Sequence, residues 1–398
     1  MKLIKVCAIS ALATGSLAAQ GIYNISPNDG VTESVPLEIT GTINYGWDDN
    51  VTPTVKANRG DVSSYTSLNV GANYLNLGPQ TSVDLNLKLG VLHYLDDIEN
   101  TEAKDTYSDS RVLFNVTHSV SERLRFSTRN YVFYGLEPDY NYGAVNDRSN
   151  GEYLFLSTDN SVGYKWNERL GTYTGFNYNN LKYDDINSIN DRQNVSLYNQ
   201  FRYVLSPVAI GTLDYRYGVA DVSGGLDSNN HKLLAGAEYR VNETALLIAK
   251  VGAQYRKVDT RDAQTDPTFE VGYTQRVNEQ FRLRANLAYD TNDYGTSFSS
   301  GNFENNQAFR ISLAGDYHLS QKLYFTGGLN YVANTYSGGT RAEDEADILN
   351  LSVGATYKMM DNLAANLNYN YTNSSDDGDT LNRDYDRNRV QAGLTYTF

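Results

Sequence analysis

Cysteine is almost absent from these 398 residues. The one copy, Cys7, sits in an N-terminal stretch of leader type, so the mature chain has no thiol and no disulfide to hold its fold. Histidine is scarce, and none of the four copies (His93, His118, His231, His318) neighbours a nucleophile and an orienting acid in an evident pattern. The sequence therefore offers no catalytic site, no metal-ligand spacing and no cofactor motif. No stretch supplies about twenty consecutive apolar residues, and the mean hydropathy is −0.51, which excludes membrane-spanning helices. It does not exclude a barrel, which needs apolar residues only at every second position. Basic surplus is missing too: a net charge of −14 argues against nucleic acid and anionic membrane surfaces as partners. The seven prolines avoid the alternating segments. Pro27 and Pro36 fall in a lead-in, Pro53 and Pro138 in loops, Pro79 and Pro207 in turns, and Pro267 at a strand start. This is the distribution expected where every strand has a ladder partner on both sides.

What is present is alternation. In Arg389–Phe398 apolar side chains take every second place: Val390, Ala392, Leu394, Tyr396 and Phe398. Thr81–Leu95 does the same with Val83, Leu85, Leu87, Leu89 and Val91 on one face and Asp84, Asn86, Lys88 and Gly90 on the other. Such segments are strands with two unlike faces. The chain divides into residues 1–19, read as a signal peptide (Lys2, Lys5, a short apolar core, small residues near Ala18–Ala19), a lead-in over 20–36, and a barrel over 37–398.

Short turns recur with related chemistry, among them Asn167-Glu168-Arg169, Asn242-Glu243, Asn278-Glu279 and Ser320-Gln321, as residues that bond their own backbone would. Tyr164, Tyr203, Tyr239, Tyr273, Tyr317 and Tyr357 stand at or just before such turns at intervals of roughly forty residues, one hairpin long. Together they predict an aromatic girdle, in keeping with a chain that carries 33 tyrosines. Eight tight turns alternating with nine longer polar loops give an all-β, antiparallel, up-and-down transmembrane β-barrel of eighteen strands, short turns on the periplasmic side and long loops outside. Leu124–Tyr134 and Leu170–Tyr183 alternate poorly, which leaves sixteen as the alternative count. A β-propeller shares the period, but its blades need four shorter strands per repeat.

The apolar faces would meet lipid: Leu233, Ala235, Ala237 and Tyr239 form one set, Leu349, Leu351, Val353 and Ala355 another. The complementary faces would line a lumen. They carry Lys88, Arg111, Arg125, Arg129, Arg202, Arg216, Lys250, Arg256, Arg282, Arg284, Arg310 and Arg389, with Asp84, Asp214, Glu238, Glu270, Asp290 and Asp316 among them. One reading is a basic track that selects solutes. The other is pairing of arginines with carboxylates across strands, favoured by the interspersed signs; Arg282, Arg284 and Arg310 are the exception best placed to stay unpaired. Scattered lumen tyrosines (Tyr131, Tyr198, Tyr324) read as wall packing, and the acidic run Asp376-Asp377-Gly378-Asp379 as solvated loop. Loops Gly135–Asn150 and Asn373–Asn388 are too short to plug eighteen strands, so the lumen should contain water.

The first strand ends Tyr45-Gly46-Trp47-Asp48-Asp49-Asn50-Val51. With the leader, the Tyr-rich hairpins and the Asn-Glu-Arg-Leu type of turn, this resembles the β-barrel porin 2 family of outer-membrane proteins over nearly the whole mature chain. The resemblance implies a porin-like barrel in a Gram-negative-type outer membrane, and some members of that family accompany exopolysaccharide production and export. The closing Tyr396 and Phe398 resemble the terminal signal read by the barrel-insertion machinery. The expected partners are outer-membrane lipids, lipopolysaccharide, that machinery, and sugars or polysaccharide. The expected function is passive diffusion of small hydrophilic solutes or oligosaccharides; the alternatives are a conduit for exopolysaccharide and a closed structural or adhesive barrel. Asp48, Asp49 and Asn50 are expected to cap and fix the first loop.

Overall fold

The computed structural model describes residues 34–52, 61–96, 98, 104–138, 151–184, 191–223, 226–259, 261–292, 305–337, 345–376 and 384–398. The leader, most of the lead-in, residues 139–150 of the third long loop and the acidic run from Asp377 onward lie outside them. Eighteen strands follow in order. They are β1 Val35–Asp48, β2 Ser63–Leu77, β3 Thr81–Tyr94, β4 Thr106–Ser119, β5 Leu124–Gly135, β6 Tyr153–Lys165, β7 Leu170–Tyr183, β8 Arg192–Ser206 and β9 Ala209–Val222. The second half comprises β10 Ser228–Asn242, β11 Ala245–Val258, β12 Gln264–Arg276, β13 Phe281–Asn292, β14 Asn305–His318, β15 Leu323–Ser337, β16 Glu345–Met360, β17 Leu363–Asp376 and β18 Tyr385–Thr397.

Each strand pairs antiparallel with its sequence neighbours, and β18 returns to β1 from Thr40↔Thr397 to Asp48↔Arg389. A closed sheet has no edge, so every strand has a ladder on both sides. The poorly alternating segments form full strands, β5 and β7, and the count is eighteen. The ladders keep register along their length. Their irregularities, at Val35/Glu38, Val204/Ser206, Arg240/Asn242 and Lys358/Met360, all sit at the short-turn end, where a bulge adds twist without disturbing the wall.

The tight turns work as their composition suggests. Asn167 Oδ1 accepts from the amides of Arg169 and Leu170, both at 2.9 Å, and Asn278 Oδ1 accepts from Gln280 and Phe281, both at 2.8 Å. Ser121 and Ser320 do the same through their hydroxyls. Such local acceptors satisfy amides that the ladder leaves unpaired. Tyr164, Tyr203, Tyr239, Tyr273, Tyr317 and Tyr357 face outward at this end by register, and Tyr164 meets Trp166 edge-on at 4.7 Å.

Exposure separates the two faces. Leu89, Val251 and Leu367 are 52%, 65% and 53% exposed on the outer side, whereas Arg202 on the inner side is 1% exposed. An apolar outer belt with a polar interior is the inverse of a soluble protein, and lipid is its solvent.

Pro267 departs from expectation. It lies inside β12, opposite Ala253 of β11, rather than at the strand start. The β12–β13 ladder begins only at Phe269↔Tyr289, so on that side the missing amide hydrogen falls beyond the paired region. Pro36 likewise falls in the first turn of pairing, since β1 begins at Val35.

Glycine matters most at Gly252 of β11, where a Cβ would lie 1.8 Å from the carbonyl oxygen of Leu233. Relief would require the β10–β11 backbones to part. Gly252→Ala is expected to destabilise the barrel by about 1–3 kcal/mol, read as a smaller fraction of heat-modifiable, folded protein on an unboiled gel after refolding.

Candidate pore lining and constriction

Inward positions on β8–β14 carry a ladder of ion pairs. Arg202 meets Glu238 at 2.5 Å, and Lys250 and Arg216 reach Asp214 at 2.6 and 3.3 Å. Arg216 also forks onto Glu270 at 2.7 and 3.1 Å. Lys232 and Arg310 share Asp290 at 3.1 and 2.9 Å, and Arg284 meets Asp316 at 2.8 Å. Lys88 pairs with Asp109 on the other side of the lumen, and Arg129 stands opposite Asp159 across the β5–β6 ladder. Paired in this way, these arginines neutralise the wall more than they charge it.

Three of the inward cations are different. Arg111 on β4, Arg125 on β5 and Arg282 on β13 face the lumen by register, and among the described residues their guanidinium groups have no hydrogen-bond or ion-pair partner. Arg282 was grouped by the sequence with Arg284 and Arg310; the structure separates it from them.

The opposite wall, β15–β18 with β1 and β2, is built from uncharged amides and hydroxyls at mid-depth. Asn350 donates to Asn370 at 3.1 Å and Thr372 at 2.9 Å, Asn44 donates to Ser67 at 3.0 Å, and Thr42 meets Thr395 at 3.0 Å. Such a wall presents donors and acceptors without a field.

At the outer end the two halves are tied by one buried cluster. Asp48, 0% exposed, accepts from Arg387 Nε at 3.0 Å and Nη2 at 2.5 Å, and from the Tyr94 hydroxyl at 3.2 Å. Arg387 also donates to Glu137 at 2.6 and 2.9 Å, and Arg389 lies 3.3 Å from both Asp48 and Glu137. Asp49 holds the amide and side chain of Asn388 at 2.6 and 2.7 Å, while Asn50 donates to the Asp386 carbonyl at 3.0 Å. The Asp-Asp-Asn segment thus fastens the first strand to the last at the seam. Asn50 also caps the start of the first loop through its amide on Asp48.

Glu137 belongs to the root of the loop after β5, five strands around the wall from β18. To reach the seam, Leu136 and Glu137 cross into the lumen, where Leu136 packs with Val51, Tyr65, Leu92, Tyr94 and Tyr107. The Tyr153 hydroxyl holds the Glu137 carbonyl at 3.0 Å. Below this strap lies a cavity of about 190 Å³ lined by Asn44, Asn69, Gln391, Lys88, Arg389, Tyr107 and Phe133, among others. A second aromatic cluster, Tyr131, Phe133, Tyr153 and Phe155 with Leu113 and Leu181, covers the adjoining wall. Tyr198 of the lumen donates to Asp159 at 2.9 Å, and Tyr324 to the Gln321 carbonyl at 2.9 Å.

The histidines stand apart from one another. His93, His118 and His231 face outward and meet the hydroxyls of Thr106, Thr81 and Tyr215 at 2.9, 2.8 and 2.8 Å. His318 packs on Tyr324 at 4.9 Å.

The decisive comparison concerns the second half of the barrel. Residues 247–398 match the family model of the outer membrane protein beta-barrel domain. The match takes in β12 to β18 and all but the first two residues of β11, within a sheet that closes over the whole chain. Some solved structures are similar to the chain at low identity. The chain is similar to Acinetobacter baumannii OccAB4 (10% identity, 92% of this chain and 99% of that one, TM-score 0.46). It is also similar to Pseudomonas aeruginosa OpdK, solved with vanillate (12%, 91% and 99%, 0.45), and to a BenF-like porin from Pseudomonas fluorescens Pf-5 (12%, 91% and 99%, 0.46). Among curated proteins no match is found.

Proposed function

We propose that this outer-membrane barrel is a passive channel for small hydrophilic solutes, oligosaccharides included, with a weak preference for anions. The observation that carries the reading is the lumen itself: a closed ring of eighteen strands lined largely by paired charges and amides, on which, among the described residues, Arg111, Arg125 and Arg282 have no ion-pair partner. An unfilled lumen of this size holds water. The strap at Leu136–Glu137 narrows the outer half, and the cavity beneath it combines amide donors with the rings of Tyr107 and Phe133, a lining suited to sugar-like solutes. No catalytic role is assigned. Phe398, 80% exposed at the end of the closing strand, with Tyr396 packed edge-on against it at 5.1 Å, is the segment offered to the insertion machinery.

The test is single-channel recording of the refolded mature protein in a planar bilayer. Stable, open steps without any partner are expected. A correctly folded barrel that passes no current would overturn the channel and leave the gated polysaccharide conduit or the closed surface barrel in its place.

A further inference from the structure

Around most of the barrel the mid-depth outer face is apolar: Leu233, Ala235 and Ala237 on β10, Leu349, Leu351 and Val353 on β16. Across β5–β8 it is not. Tyr131, Asp159, Tyr173 and Gln200 point into the lumen, where all four are buried. Residues of opposite parity therefore point out. They include Thr128 and Asn130 on β5, Thr158 and Asn160 on β6, Thr174 on β7 and Asn199 on β8.

These six side chains form a patch. Asn130 lies opposite Thr158, Thr128 opposite Asn160, and Thr174 opposite Asn199. Thr158 donates to Asn130 at 2.8 Å, Asn160 to Thr158 at 2.8 Å, Asn130 to Thr128 at 3.1 Å and Asn199 to Thr174 at 2.6 Å. The internal bonds do not exhaust the patch. Asn160 Oδ1 accepts no hydrogen bond among the described residues, and Asn199 Oδ1 is shielded without a donor. Acyl chains can satisfy none of this, so such a wall against lipid is unfavourable where every other wall avoids it.

Phe126, Val162, Phe176, Leu197 and Phe201 surround the patch with exposed apolar surface, at 46%, 39%, 43%, 57% and 49%. A polar centre in an apolar frame, at membrane depth, is the make-up of a contact between membrane proteins, where amides and hydroxyls bond across the interface. The patch carries no charge, and its carboxamides and hydroxyls both donate and accept. It is complementary to itself. We infer that the β5–β8 wall packs against another copy of this chain in the membrane, amide to amide.

The experiment is native mass spectrometry of the mature protein released from mild non-ionic detergent, beside Asn130→Leu/Thr158→Val/Asn160→Leu. Folding of both is checked by the unboiled-gel mobility shift. The wild type is expected as a particle of more than one copy, and the folded variant as a single copy. If the triple variant does not fold, Asn160→Leu and Asn199→Leu are read singly, each expected to move at least tenfold more protein to the single-copy form on dilution. A single-copy wild type, a variant as oligomeric as the wild type, or a stoichiometric complex with a different polypeptide would each overturn the inference.

Discussion

Arg387→Met lowers the thermal stability of the folded barrel by about 3 kcal/mol, the lower end of the cost of removing one partner from a buried ion pair, since Arg389 keeps part of the charge in place. Asp48 is 0% exposed and takes two of its hydrogen bonds from Arg387, and Glu137 takes two more. Methionine fills much of the same volume but satisfies neither carboxylate. Arg389 compensates only in part: it stands 3.3 Å from both carboxylates and lies over the Tyr65 ring at 5.0 Å, but its Nε makes no hydrogen bond, so it supplies charge without the fork. The loss is felt at the seam, the one ladder that joins residues at opposite ends of the chain. The measurement is the temperature at which the fast-migrating folded band disappears on an unboiled gel. Arg387→Lys should fall between the two, because it keeps the charge and loses the planar fork that serves two carboxylates at once. Asp48→Asn removes the carboxylate that Arg387 grips most closely and should be milder, since Glu137 still neutralises the arginine.

Why was this cluster not visible in the sequence, when the barrel was? Alternation and turn chemistry are local: each is written within one hairpin, and together they specify strand count, turn ends and girdle. Pairing between Asp48 and Arg387 spans 339 residues. It follows from closure, since the first and last strands become neighbours and place Asp48 opposite Arg389. Inward parity of Asp48, Arg387 and Arg389 was therefore a usable signal, whereas nothing local announced that Glu137 would leave its loop and cross the lumen. The acidic segment after Trp47 has the make-up of a loop cap; it is that through Asn50, and also the fastening of the barrel. The poor alternation of β5 and β7 is informative in another way. Thr128, Asn130 and Thr174 blur the pattern because their outward face is polar, so the weak strand signal and the unusual outer wall have one cause. Pro267 shows the limit of the proline rule, which applies to positions bonded on both sides, while this residue sits where one ladder has not begun.

Selectivity should reside in the cations that the sequence could not tell from their neighbours. Arg284 and Arg310 are held by Asp316 and Asp290, so a passing ion meets a dipole at each of them rather than a charge. Among the described residues Arg111, Arg125 and Arg282 have no such partner, and they stand on two sections of wall, β4–β5 and β13. A channel with these three intact should favour chloride over potassium, and in Arg111→Gln/Arg125→Gln/Arg282→Gln the permeability ratio should fall to about one, because side-chain charge sets pore preference. Conductance should change little, as glutamine keeps the wall polar and the strap is untouched. Arg284→Gln/Arg310→Gln should do something else: the first change leaves Asp316 without its arginine, the second leaves Asp290 to Lys232 alone, and the preference should swing toward cations. The reversal potential across a salt gradient separates the two sets directly. If the paired set alone abolished anion preference and the unpaired set left it intact, the ladder would be the selective element and the three uncompensated arginines would be solvated bystanders. The opposite pattern assigns the field in the lumen to three side chains, and leaves the ladder the mechanical task of holding a hydrated wall of fixed shape.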